Sequence, residues 1–271
     1  MVVDTAPRAL PFTIKPRVRA PNTDLPRLGL IALATDLTVE RDAARLIGWN
    51  EAIVHVSRIR FENPTTPENL NAMAPGLAAA ASLLAPRADL AALAFACTAA
   101  SVTIRNEVVA DAFASVRPGV PVVTPSSAGL AALNALGASR IALLTPYLPE
   151  TTAPMVAYFE AKGLAVAKAA CFGLADDRDM ARLERDSVVE AAVSLDSAEV
   201  DALFLSCTAM PSVDVIDAIE ARVGKPVVSS NQAVFWAMRS LAGLQQRPPQ
   251  TGGVGRLFDL PGPRRGEMEA G

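Results

Sequence analysis

The sequence predicts an α/β fold built from two matched halves with parallel sheets. Three observations predict it. Short continuous apolar runs alternate with helical patterns, as strands buried on both faces of a parallel sheet require. One strand-helix unit occurs twice in the same order. The composition is 51% hydrophobic but only 5% aromatic, and is dominated by Ala, Leu and Val. That balance suits helices layered on buried strands better than a sandwich.

The expected strands are Leu28–Ala34, Ile53–Ile59, Leu90–Ala96, Pro121–Thr124, Ile141–Thr145, Leu164–Ala169, Ala202–Ser206 and Pro226–Ser229. Helical spacing connects Val39, Ala43, Leu46 and Ile47, and again Val215, Ile216, Ile219 and Val223, where Gly224 supplies a stop. Thr152 and Pro154 open another helix that Gly163 closes. Pro75 interrupts the pattern of Leu70, Met73 and Leu77, so a break is expected there.

The repeat is more informative than any single element. Ile31-Ala-Leu-Ala-Thr35 and Ile141-Ala-Leu-Leu-Thr145 lie 110 residues apart. Cys97-Thr98-Ala99 and Cys207-Thr208-Ala209 lie 110 residues apart as well. Pro121-Val-Val123 and Pro226-Val-Val228 follow at an offset of 105. The expected organisation is a Pro-rich flexible arm over 1–24, a first half over 25–126 joined by 231–246, a second half over 127–230, and a disordered tail over 247–271.

Several function classes are disfavoured. A net charge of −3 leaves no electrostatic footprint for nucleic acid. No apolar run approaches the roughly 20 residues of a membrane span, and no signal-peptide core opens the chain, so a cytoplasmic protein is expected. Three cysteines and one histidine, His55, argue against a disulfide scaffold and against a zinc site. Dinucleotide-binding, Walker and nucleophile-elbow signatures are all missing from the sequence.

The candidate chemistry rests on the repeated cysteines. Cys97 follows Leu93-Ala-Phe-Ala96 and Cys207 follows Leu203-Phe-Leu-Ser206, so each is expected at the carboxyl end of a parallel strand. Each also stands at a helix start, where the dipole and free N–H groups are expected to lower a thiol pKa. Thr98 and Thr208 offer hydroxyl donors, and the neighbouring backbone amides of Ala99 and Ala209 suit a carboxylate or enolate oxygen. Two facing thiols permit proton removal on one face and return on the other. They equally permit thiolate addition to an activated double bond, rotation and elimination. Cys171 has no counterpart in the first half and reads as a small core hydrophobe.

Gly29-Leu-Ile-Ala-Leu-Ala-Thr-Asp-Leu-Thr-Val-Glu40, Ala96-Cys-Thr-Ala-Ala-Ser101, Leu144-Thr-Pro-Tyr147, Leu205-Ser-Cys-Thr208 and Lys225-Pro-Val-Val-Ser-Ser-Asn-Gln232 carry a family resemblance over residues 28–243. The chain resembles the aspartate/glutamate racemase superfamily, in its maleate isomerase and arylmalonate decarboxylase branch. Within that branch, Arg60-Phe-Glu-Asn-Pro-Thr-Thr-Pro-Glu-Asn69 and the Leu-Thr-Pro-Tyr-Leu-Pro-Glu150 segment make it most similar to bacterial ectoine-utilisation proteins.

The resemblance implies two Rossmann-like halves in pseudo-twofold relation, a site in the inter-domain cleft, no cofactor, and Cys97 and Cys207 as the catalytic pair. It implies that Tyr147 contacts substrate. Retention of Cys97 favours isomerase or racemase chemistry over decarboxylation. Asp36 and Asp177 depart from the branch, whose maleate isomerases carry Asn at these places. An ionised Asp cannot donate to a substrate carboxylate and repels it. Asp36 also suits a helix N-cap. The expected activity is therefore isomerisation, racemisation or epimerisation of a small carboxylate, an amino-acid derivative of ectoine or hydroxyectoine breakdown. The alternatives are a maleate-like cis-trans isomerase and a non-catalytic binding protein. A homodimer is the expected assembly.

Overall fold

The computed structural model describes residues 10–18, 25–248 and 252–266. Its two sheets repeat one topology. In the first half, β1 (Arg27–Leu33), β2 (Ile53–Ile59), β3 (Ala92–Ala96) and β4 (Val122–Val123) lie in the order β2-β1-β3-β4. In the second, β5 (Arg140–Thr145), β6 (Ala165–Cys171), β7 (Ala202–Leu205) and β8 (Val227–Ser229) lie in the order β6-β5-β7-β8. All strand pairs are parallel. Central strands β1, β3 and β7 are apolar and almost wholly buried, which is why their sequences read as uninterrupted runs.

Helices cover both sheets. The first half carries α1 (Val39–Leu46), α2 (Pro67–Asn71), α3 (Leu77–Ser82), α4 (Thr98–Thr103) and α5 (Asn106–Ala114). Then follow α6 (Pro125–Ala135), α7 (Pro149–Ala161), α8 (Asp177–Met180), α9 (Arg185–Ser194), α10 (Ile216–Val223) and α11 (Ser230–Leu241). Two helices bind the halves together. Thr124 and Ser229 cap α6 and α11 with reciprocal side-chain and backbone hydrogen bonds. The two helices pack on each other, and α11 returns to lie against β3 and α1. Gly129 of α6 meets the ring of Phe204 in β7, where a Cβ would stand 2.7 Å from a ring carbon.

Some local expectations shift. Pro75 does break the helical run: α2 ends, a 3₁₀ turn spans Ala74–Gly76, and α3 begins. Gly224 closes α10 in the left-handed conformation, φ 72°. Helix α7 starts earlier than expected, with Pro149 in its first turn and Pro154 inside it. The fourth strand shrinks to Val122–Val123, and the sixth runs on to Cys171, which is only half-buried.

The tail expected to be disordered is corrected over 252–266. Val254, Leu257 and Phe258 are buried, and Arg256–Asp259 forms a 3₁₀ turn. Gln232 Nε2 donates to Val254 O at 2.6 Å and Trp236 Nε1 to Leu260 O at 3.2 Å. Three apolar residues among Pro and Gly suffice to anchor a short strap once α11 offers a groove. Residues 249–251 and 267–271 of that expected tail lie outside the described residues. So do 1–9 and 19–24 of the expected arm, while 10–18 form no helix or strand and are exposed.

Candidate active site

The carboxyl ends of β3 and β7 each hand the chain to a cysteine. Cys97 ends β3 and caps α4, receiving the Ala100 N–H on its sulfur at 3.4 Å. Cys207 follows β7 by two residues and, contrary to expectation, opens no helix: the next element is a 3₁₀ turn at Val213–Val215, and the Ala209 N–H points to its sulfur at 3.3 Å. Both thiols are nearly inaccessible, at 6% and 3% exposure. They lie near enough for each sulfur's charge to bear on the other.

The loops are pinned across the interface by pseudo-equivalent contacts. Thr98 Oγ1 donates to Ser230 Oγ of the second half at 2.8 Å. Thr208 Oγ1 donates to Ala96 O of the first half at 3.1 Å. Each predicted threonine thus secures the opposite lobe. The Ala209 amide faces Cys207 itself, whereas the amide facing Cys97 belongs to Ala100 rather than to Ala99.

Tyr147 lies two residues beyond β5 and is 2% exposed. Its hydroxyl lies beside the Cys207 thiol and the Thr98 side chain, between the two loops. Asp36 is also buried; its Oδ1 accepts from Thr38 N at 2.7 Å and Val39 N at 2.9 Å at the start of α1. The N-cap of α1 is Thr38 rather than the expected Asp36, which lies two residues earlier and accepts the amides that open the helix; its charge also acts on both sulfurs. Asp177 opens α8, and its charge reaches Asp36 and Cys97. Thr35 Oγ1 and Asn63 Nδ2 both donate to Asp177, the latter at 2.7 Å. The predicted cysteines, threonines, tyrosine and aspartates therefore converge.

The expectation of lowered thiol pKa values is overturned. Burial pushes Cys207 up to about 12, and carries Cys97 well above the ordinary thiol range. Desolvation of a thiolate outweighs the one to three hydrogen bonds available to it. The pair is nevertheless unequal. Cys207 receives the Tyr147 hydroxyl and the amides of Met210 and Ala209, whereas Cys97 receives one amide. Cys207 therefore has more donors around its sulfur than Cys97 has. Burial likewise raises Asp36 to about 6, against its two backbone donors and with the charge of Asp177 adding to the rise.

Sequence reasoning missed four residues that shape this site: Thr35, Asn63, Ser230 and Asn231. All four fall inside the runs that carry the family resemblance; Thr35 alone has a counterpart in the repeat, Thr145, and the other three have no repeated partner or spacing that singles them out.

Two parallel-sheet lobes each bring a buried cysteine, from the carboxyl end of a central strand, to the interface between them. The sequence profile of the arylmalonate decarboxylase family matches residues 91–258. The maleate isomerase of Nocardia farcinica is 32% identical over 246 residues, covering 86% of this chain and 95% of that protein. The arylmalonate decarboxylase of Bordetella bronchiseptica is 36% identical over 145 residues, covering 52% and 59%. A cysteine-to-serine mutant of the Nocardia farcinica maleate cis-trans isomerase, solved with a covalently bound succinylcysteine intermediate, superposes with a TM-score of 0.78 at 29% identity. That match covers 86% of this chain and 98% of the other. The chain belongs to the arylmalonate decarboxylase and maleate isomerase family, whose members are enzymes.

Proposed function

We propose that the protein is a cofactor-independent cis-trans isomerase of a small unsaturated carboxylate, working by reversible thiol addition. The observation that supports it most is the pair of buried thiols, one from each lobe, sharing the Tyr147 hydroxyl's neighbourhood. A decarboxylase needs to deliver one proton and has use for one thiol; addition with rotation uses a nucleophile and a proton donor on opposite sides.

In this reading one sulfur, as thiolate, bonds to an alkene carbon. The π pair moves to the neighbouring carbon, which takes a proton from the opposing thiol. The former double bond is now single and rotates. The second thiolate then removes that proton, the pair re-forms the double bond, and the first sulfur leaves. Atoms and electrons are unchanged overall, and no redox partner is needed. The backbone N–H groups of Thr98, Ala99 and Thr208 are the donors this reading assigns to a substrate carboxylate, since both threonine hydroxyls are held across the interface and the Ala209 N–H faces Cys207. The relative's succinylcysteine adduct supports this order of events by analogy.

One observation favours a second reading of the substrate. Asp36 and Asp177 place two acceptor side chains where a dicarboxylate would set its own charge. They favour a substrate with an ammonium or amide group at one end, and with it racemisation or epimerisation of an amino-acid derivative in ectoine or hydroxyectoine degradation.

Proton NMR in D2O separates the readings. Maleate, maleamate and a panel of amino-acid derivatives are incubated with wild type, Cys97→Ser and Cys207→Ser. Conversion of a cis-alkene to its trans form, lost in both variants, supports isomerisation. Deuterium entering an α-position without alkene turnover supports racemisation. Turnover unaffected by either substitution overturns the two-thiol mechanism.

A further inference from the structure

Two consecutive peptide groups shortly after Cys207 each connect the thiol to a side chain on another element, Asn231 of α11 and Thr38 before α1. The peptide between Thr208 and Ala209 sends its N–H to Cys207 Sγ at 3.3 Å, and its C=O accepts from Asn231 Nδ2 at 2.8 Å. The next peptide sends the Met210 N–H towards the same sulfur, and its C=O, that of Ala209, accepts from Thr38 Oγ1 at 2.6 Å. A donor on the carbonyl side polarises the peptide and fixes its plane, so that its N–H is held on the sulfur. Cys97 has no such arrangement: its sulfur meets only the Ala100 amide, inside α4.

Asn231 is itself oriented. Its Nδ2 also donates to Asp42 Oδ2 at 2.7 Å, while its Oδ1 is buried without a partner. Two acceptors, the Asp42 carboxylate and the Thr208 carbonyl, require the NH2 on that side. Asp42 and Thr38 come from the first lobe and Cys207 from the second, so the relay crosses the interface.

We propose that Thr38, and Asn231 oriented by Asp42, are positioning residues that ease the ionisation of Cys207 by holding two consecutive peptide groups with their N–H sides towards its sulfur. The inference rests on Cys207 being a reacting thiol, but its test needs no substrate. It also implies a pH dependence. Asp42 is buried at 1% exposure and is raised to about 7 by that burial. The groups bearing on it are Asn231 of α11, Asp214 of the Val213–Val215 turn, Arg41 on its own helix, and Asp36. When neutral, Asp42 still accepts from Asn231 Nδ2 through its carbonyl oxygen, but more weakly than a carboxylate oxygen does. The hold on Cys207 weakens as pH falls through about 7.

The test is residue-resolved alkylation of the full chain with iodoacetamide, read by peptide mass spectrometry from pH 6 to 10. Both cysteines are buried at one interface between the lobes, so the ratio of Cys207 to Cys97 labelling cancels a change in opening common to the two. Thr38→Val and Asn231→Leu are expected to lower that ratio at pH 8 by about 3–10-fold, the scale of one lost hydrogen bond to a thiolate. Thr38→Ser is expected to restore it. Asp42→Asn is expected to lower the ratio at pH 8 and to flatten its change around pH 7. A ratio that stays constant while both absolute rates change would show a merely structural role and overturn the proposal. So would Thr38→Ser behaving like Thr38→Val. Circular dichroism selects the folded variants, and Thr38→Val with Thr38→Ser decides the matter if Asn231→Leu does not fold.

Discussion

Asn63 of the first lobe donates through Nδ2 to Asp177 Oδ1 of the second at 2.7 Å, and to Asp176 Oδ1 at 3.0 Å. Its Oδ1 accepts the Asp177 N–H at 3.2 Å. One side chain thus ties the 60–66 loop to the start of α8 across the mouth of the site. Both thiols are nearly inaccessible, and loosening this cross-lobe contact is expected to open a path to them. Asn63→Ala is expected to raise alkylation of Cys97 and Cys207 by one common factor, and to cost about 1–3 kcal/mol of stability. Urea unfolding and labelling kinetics check both.

Asp36 couples stability to pH. Its folded-state pKa, about 6, lies above the ordinary value of 3.8. Protonated Asp36 therefore favours the folded state. The contribution is complete below about pH 4 and is lost as pH rises through 6. Asp42 acts in the same direction up to about pH 7. Asp36→Asn keeps an acceptor for the Thr38 and Val39 amides and removes the buried charge. It is expected to add up to about 3 kcal/mol at pH 8 and little at pH 4, measured as urea midpoints at both pH values.

The same substitution bears on specificity. Asp36→Asn turns one acceptor oxygen into an amide donor facing the thiols. Turnover of a dicarboxylate such as maleate is expected to rise about tenfold or more, by the scale of one charge repulsion removed. Steady-state kcat/KM on maleate and on maleamate checks it; equal changes for both substrates would count against recognition through residue 36.

Gly129 and Phe204 set the spacing of α6 on β7. Gly129→Ala places a methyl group 2.7 Å from the ring, and is expected to destabilise by about 1–3 kcal/mol. The companion change Phe204→Leu should recover part of the loss, as a double-mutant cycle in thermal unfolding would show.

The strap is structural. Leu257 is fully buried against the shared core. Leu257→Ala is expected to cost about 2–5 kcal/mol and to expose 252–266 to limited proteolysis.

Much of this was legible in sequence. Strands such as β1 and β3 are buried on both faces, so their apolar runs betray them. Cys97 and Cys207 were legible because the repeat marks them twice. Asp36 was legible in the site, because it departs from the family pattern, and near the start of a helix, though Thr38 rather than Asp36 is the N-cap. The strap was not legible: Val254, Leu257 and Phe258 are too few to show a period, and only a groove on α11 makes them core. Asn63, Thr38 and Asn231 were not singled out either, since a polar residue acquires a role from the partner that reaches it.

The sequence by itself determined the two lobes, the succession of strands along the chain and the presence of one thiol in each lobe. Those depend on local periodicity and on a duplicated unit, which are written along the chain. Only the tertiary structure decided how the thiols differ. It buries both, raising them against the helix termini that were expected to lower them. It then gives Cys207 a tyrosine hydroxyl and two peptide N–H groups, and gives Cys97 one. Desolvation and cross-lobe hydrogen bonds depend on what lies around a residue in space, and near-identical motifs in the chain therefore end in unequal chemistry.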